Sequence, residues 1–122
     1  MRAMPARRVL IVEDNADTAL TTALIVRHLG HTAEAAADGF GALVQARKLR
    51  PDFALVDLNL PGGMDCAELA RRLKAEHPSI RLIALTGSAL AEDRERTREA
   101  GFEVHLVKPM DPAYLESLLG RV

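Results

Sequence analysis

Aromatic residues are scarce: one Tyr, three Phe and no Trp amount to 3% of the chain. The core must therefore be aliphatic, and a flavin-like cofactor would find few rings to sandwich it. Cys66 is the single cysteine, so no internal disulfide can form. No apolar run approaches the ~20 residues needed to span a bilayer, and a soluble chain without a membrane partner is expected. There is no basic excess either. The 16 Lys and Arg stand against 17 Asp and Glu, a net charge of −1, so direct nucleic-acid binding through phosphate contacts is not expected. The opening stretch Met1 to Arg8 is short, basic and interrupted by Pro5, unlike a secretory leader, and a cytoplasmic location follows as the expectation.

What the chain does hold is ordinary for a soluble globular domain: 122 residues, 48% hydrophobic and 27% charged, enough for one core and too short for two. Four apolar runs stand out: Val9-Leu10-Ile11-Val12, Phe53-Ala54-Leu55-Val56, Leu82-Ile83-Ala84-Leu85 and Val104-His105-Leu106-Val107. Three are nearly continuous, as in strands buried on both faces of a parallel sheet. Thr32-Ala33-Glu34-Ala35-Ala36 mixes polar and small residues and suits an edge strand.

Helical spacing fills the intervals. Residues 15–29 offer an apolar arc of Leu20, Ala23, Leu24, Val26 and Leu29 and stop at Gly30. Residues 38–49 place Phe40, Leu43 and Val44 on one face. In the third helix, Asp65 and Glu68 have capping-box spacing ahead of a stripe of Cys66, Leu69, Ala70 and Leu73, with Pro78 beyond the end. Residues 90–100 are highly charged, with Glu92 and Asp93 early, arginines later and Gly101 as the stop. Asp111 and Pro112 open the last helix, which buries Leu115, Leu118 and Leu119. The order is β-α repeated five times, which predicts an α/β fold: one doubly wound parallel sheet with helices on both faces.

The polar residues that end the strands carry the functional signal. Glu13-Asp14 follow the first run, Asp57 the third, Thr86 the fourth and Lys108-Pro109 the fifth. All carboxyl ends of a parallel sheet lie along one edge, where ligands bind in open α/β folds, so these side chains should converge. Singly each has a plainer reading: Glu13-Asp14-Asn15 as a helix cap, Asp57 as a turn acid, Thr86 as a strand end, Lys108 as a solvated loop residue. Together they crowd negative charge into one place, which a hard divalent cation and Lys108 would offset. Oxygen donors suit Mg²⁺, or Mn²⁺ in its stead. No His/Cys cluster offers a zinc site, and His28, His31 and His77 read as surface residues at helix ends.

Val12-Glu13-Asp14-Asn15, Asp57-Leu58-Asn59-Leu60-Pro61, Ala84-Leu85-Thr86-Gly87 and Val107-Lys108-Pro109 together resemble the receiver domain of bacterial response regulators. The likeness runs from Val9 to about Leu119 and implies a single receiver domain over residues 1–122, its core at about 8–120. It also implies a flavodoxin-like five-stranded sheet of order 2-1-3-4-5, an order for which a chemotaxis member of this family is a known example. By resemblance, Asp57 is the phosphoacceptor that takes a phosphoryl group from a histidine kinase or a histidine phosphotransfer protein. Asp14, Asp57 and the backbone carbonyl of Asn59 would bind Mg²⁺, with Glu13 acting through water. Lys108 and Thr86 would hold phosphoryl oxygens, and Thr86 and His105 would form the switch. The family's output face is made by the fourth helix, fifth strand and fifth helix, which here includes Arg94, Arg96 and Arg98 and through which homodimers commonly form. Such a domain catalyses its own modification and slow reset and is not a turnover enzyme. It occurs alone or within larger proteins such as hybrid kinases.

Three positions depart from the family pattern. His105 stands where a Tyr or Phe is usual, which would weaken the switch or tune it by imidazole ionisation near neutral pH. Gly62-Gly63-Met64-Asp65-Cys66 carries one residue more than usual after Pro61, with Cys66 in place of a Gly. Cys66 is expected to pack as a small apolar residue. Ile25 lies off the main arc of the first helix near Thr18, Thr21 and His28, on the helix that helps dock the family's histidine-bearing partner. Rival readings are an aspartate-nucleophile phosphatase, a flavodoxin-like cofactor carrier and a phosphorylation-independent protein-binding module. The first usually carries a second Asp where this chain has Asn59. The second would want a phosphate loop where it has Glu13-Asp14-Asn15.

Overall fold

The computed structural model describes residues 6–87, 91–108 and 110–120. Its elements alternate: β1 (Arg8–Val12), α1 (Ala16–His28), β2 (Thr32–Ala36), α2 (Gly39–Leu49), β3 (Phe53–Asp57), α3 (Cys66–Glu76), β4 (Arg81–Thr86), α4 (Ala91–Ala100), β5 (Phe102–Val107) and α5 (Pro112–Leu119). The strands make one all-parallel sheet, as the pattern predicted, in the order β2-β1-β3-β4-β5 that the resemblance implied. Every residue of β3 is buried, which explains its unbroken apolar run. The polar β2 forms an edge, with Thr32, Glu34 and Ala35 exposed. β5 meets β4 with one irregularity: Phe102 opposes Leu82 and Val104 opposes Ile83, leaving Glu103 as an extra residue.

Two aliphatic layers enclose the sheet. On one face Leu10, Val12, Ala54, Val56, Leu82 and Ala84 pack against α2 and α3. On the other Val9, Ile11, Leu55, Ile83 and Leu85 pack against α1 and α5, where Leu115, Leu118 and Leu119 are buried as expected. Each fully buried Leu or Ile contributes about 2 kcal/mol. Asn15, Asp38, Asp65 and Asp111 cap their helices by accepting from main-chain amides. Gly30 and Gly101 follow α1 and α4 in the left-handed conformation, with φ of 95° and 108°.

Several expectations need correction. On α1 the buried residues are Ala19, Thr22, Ala23 and Val26, while Leu20 and Leu24 are each 55% exposed. Small side chains let the helix lie close to the sheet, and Arg27 Nη2 donates to the Ala33 carbonyl at 2.7 Å, which fixes its rotation. On α2, Gly39, Ala42, Leu43 and Ala46 face inward, whereas Phe40 and Val44 are exposed. α2 ends on Arg50 in the left-handed region before Pro51, a stop without a glycine. His28 is exposed and His77 half-buried, but His31 is buried. The Arg7 amide donates to His31 Nδ1 at 2.9 Å and ties the ring into the amino-terminal edge of the sheet. The side chains of Glu92, Asp93, Arg94 and Arg96, together with Pro109, lie outside the described residues. Among the described residues, no helix is long and apolar enough to cross a membrane.

Candidate functional site

The carboxyl ends of β1, β3, β4 and β5 bring the expected side chains to one rim. β1 runs into Glu13, whose amide donates to the Ala36 carbonyl at 3.0 Å, so the chain leaves the sheet only after this residue. Its side chain is buried, while Asp14 beside it is exposed. Asp57 is the last residue of β3 and is 5% exposed. Lys108 follows β5, its amide donating to the Thr86 carbonyl at 2.7 Å.

Lys108 Nζ donates to Glu13 Oε1 at 2.6 Å and to Asp57 Oδ2 at 2.7 Å. The other Asp57 oxygen, Oδ1, accepts from the Asn59 amide at 2.8 Å, and Glu13 Oε2 accepts from the Asn15 amide at 3.3 Å. Glu13, Asp14 and Asp57 each present a carboxylate oxygen within 4.8 Å of the others. Three carboxylates against one ammonium leave two negative charges uncompensated, at a place where burial makes like charges costly.

The ionisation of these groups follows from that crowding. Burial pushes the Glu13 carboxyl above its usual range, and its contact with Asp57 adds to the push, while Lys108 pulls the other way. Burial also works against ionised Asp57, but its contact with Glu13, which takes up a proton before it, and hydrogen bonds from Lys108 and the Asn59 amide outweigh it and hold Asp57 below the usual range. Lys108 is raised: burial disfavours the ammonium, and Asp57 and Glu13 more than offset it. The result is an ionised carboxylate at position 57 facing the Lys108 ammonium at 2.7 Å.

Thr86 is buried at the end of β4, beside Lys108 through the main chain. His105 is not in the cluster; it is half-buried on β5, paired in register with Ala84. Cys66 is half-buried rather than fully packed, and with Thr86 and Thr97 it lines a cavity of about 480 Å³ between α3 and α4. Ile25 is half-buried at the rim of the second layer. With Thr18, Thr21, Thr22, Leu85 and Met110 it lines a cleft of about 510 Å³ that reaches Lys108. Thr22 carried no sequence signal of this; only the fold brings it to the cleft that reaches the lysine.

An all-oxygen set with surplus negative charge fits a hard divalent cation and offers nothing soft enough to select zinc. Residues 9–119 match the response regulator receiver domain family. The chain belongs to that family. It is a receiver domain of two-component systems. It is 38% identical over 103 residues to the gliding motility regulatory protein of Myxococcus xanthus, covering 83% of this chain and 13% of that protein. It is 32% identical over 108 residues to sporulation initiation phosphotransferase F of Bacillus subtilis, covering 88% and 86% of the two chains. The receiver domain of a sensor histidine kinase from Pseudomonas aeruginosa, solved with magnesium in its active-site cleft, superposes with a TM-score of 0.82. That domain is 34% identical, and the match covers 94% of this receiver and 95% of the other. The receiver spans about half or less of the length of several curated relatives that it matches.

Proposed function

We propose that this receiver forms one domain whose phosphoacceptor is Asp57, which takes a phosphoryl group from a histidine kinase or a histidine phosphotransfer protein. The observation that carries the reading is the 2.7 Å contact between Lys108 and an ionised, nearly buried Asp57 beside two further carboxylates. Oδ1 is anchored by a main-chain amide, so Oδ2, held by a flexible amine, is the oxygen that can be released to react. Oδ2 attacks phosphorus, the bond from phosphorus to the donor imidazole nitrogen breaks, and that nitrogen is reprotonated. Lys108 passes from the carboxylate to a phosphoryl oxygen, and the Thr86 hydroxyl binds another. Asp14, Asp57 and the Asn59 carbonyl would hold Mg²⁺ or Mn²⁺, with Glu13 acting through water; the bound ion neutralises charge on the phosphoryl oxygens. Water later hydrolyses the acyl phosphate to inorganic phosphate and restores the carboxylate, so the domain is modified and reset without turning over an external substrate.

The cleft from α1 to Lys108 is where the histidine-bearing partner docks, with Ile25 as its apolar contact. Exposed Val107 on β5 and Tyr114 on α5 support a homodimer through the face of α4, β5 and α5, with Thr86 and His105 as the switch behind it. The absence of a basic excess supports a receiver that does not itself touch nucleic acid, and a cytoplasmic setting agrees with its phosphodonor. Treatment with acetyl phosphate and Mg²⁺ tests the central claim by intact mass. One phosphoryl group per chain, mapped to Asp57 and lost with chelator, is expected. No gain in mass would leave the phosphorylation-independent binding module as the better reading.

A further inference from the structure

The segment from Leu58 to Asp65 joins the phosphoacceptor strand to α3, and it touches the body of the protein mainly at its two ends. At its start, the Leu58 amide donates to the Leu85 carbonyl at 3.0 Å and the Asn59 amide to Asp57 Oδ1 at 2.8 Å. Leu58 and Leu60 rest partly on the core, but Pro61, Gly62 and Gly63 are exposed. Gly62 has a φ of 89°, a reversal that turns the chain back toward the sheet. The residue that re-enters is Met64, 1% exposed and part of the layer beneath α2 and α3.

Met64 fits because of Gly39 at the start of α2. A Cβ at position 39 would lie 2.8 Å from Met64 Sδ, closer than packed atoms tolerate, and 3.1 Å from its Cβ and Cγ, so Met64 would have to give way. An unbranched thioether suits such an irregular slot. Only Leu60, Pro61, Gly62 and Gly63 lie between Asn59 and Met64, so the short span leaves little slack and the depth at which Met64 seats bears on the path back to Asn59.

We propose that Met64, seated on Gly39, is a positioning residue for the phosphoacceptor site: it sets the placement of the Asn59 backbone and through it the affinity for the divalent ion. This rests on the reading of Asp57 and Asn59 given above. Gly39→Ala pushes Met64 outward without touching any ligand. Removal of a group that orients metal ligands lowers metal affinity by about tenfold.

The test is Mg²⁺ titration of the full chain by calorimetry, with the Asn59 amide resonance followed before and after metal, and thermal stability measured in parallel. Gly39→Ala should move the metal-free Asn59 resonance and weaken Mg²⁺ binding by about tenfold. Leu119→Ala, in the opposite layer, should lose stability with Mg²⁺ affinity unchanged. A Gly39→Ala chain that binds Mg²⁺ as the wild type does would overturn the proposal, as would an equal loss in Leu119→Ala. Should Gly39→Ala not fold, Met64→Ala alone carries the same readout. A wild type that binds no Mg²⁺ and takes no phosphoryl group from acetyl phosphate would sink the underlying reading instead.

Discussion

The two rims of the sheet are built on opposite principles. At the amino-terminal rim three described arginines each have an acceptor at hand. Arg8 Nε lies 3.8 Å from Asp52 Oδ2, Arg81 forms a paired contact with Glu103, and Arg7 Nε donates to the Leu119 carbonyl. At the carboxyl rim, Glu13, Asp14 and Asp57 share a single amine. One end of the fold is closed on itself, and the other is left short of positive charge. Charge that would be costly in a finished structure is useful where a cation and a phosphoryl group are to arrive.

Substitutions at each rim break or sharpen that contrast. The largest effect is expected for Asp57→Asn, which removes the nucleophile: phosphoryl uptake from acetyl phosphate, read by intact mass, should vanish while circular dichroism shows the fold intact. Uptake at the wild-type level would place the acceptor elsewhere. Next is Lys108→Ala, which strands two buried carboxylates. In chelator it should cost about 2–3 kcal/mol in urea unfolding, discounted for the partial exposure of Lys108. Mg²⁺ should restore part of that loss, and phosphoryl uptake should remain poor. A variant that loses Mg²⁺ binding instead would show that the amine and the metal do not have separate roles.

The smallest effect belongs to the closed rim. Burial, together with the charge on Arg7, holds the His31 imidazole below its usual pKa, with Glu116 opposing weakly. The folded chain therefore prefers neutral His31. Its contribution is fully present above about pH 6.5, the unfolded value, and is lost as pH falls through the lower folded-state value. Unfolding free energies from pH 7.5 to 5 should show this decline in the wild type and a flatter profile in His31→Gln. Parallel profiles would mean that the ring is not held neutral.

The strands and the carboxyl rim were legible in the sequence for one reason. A strand buried on both faces must be apolar throughout, so the first polar residue after it marks the rim, as Asp57 does after Phe53-Ala54-Leu55-Val56. The helices were less legible because hydrophobicity and burial part company on α1 and α2. Leu20, Leu24, Phe40 and Val44 outrank alanine on any hydrophobic scale, yet the close approach of helix to sheet selects Ala19, Ala23, Ala42 and Ala46. His31 was misplaced because its burial depends on Arg7, distant in sequence. Met64 lay inside a recognised motif, but its slot depends on the missing side chain of Gly39, which no local pattern announces.

The irregularity between β4 and β5 is contained where it occurs. Side chains alternate along a strand, yet Phe102 and Val104, two positions apart, serve opposite layers of the core, because Glu103 is taken up without a partner on β4 between them. From Val104 onward the pairing with β4 is regular, up to Val107 opposite Thr86. Glu103 is thereby free to meet Arg81 at one end of the strand while Lys108 keeps its place beside Asp57 at the other.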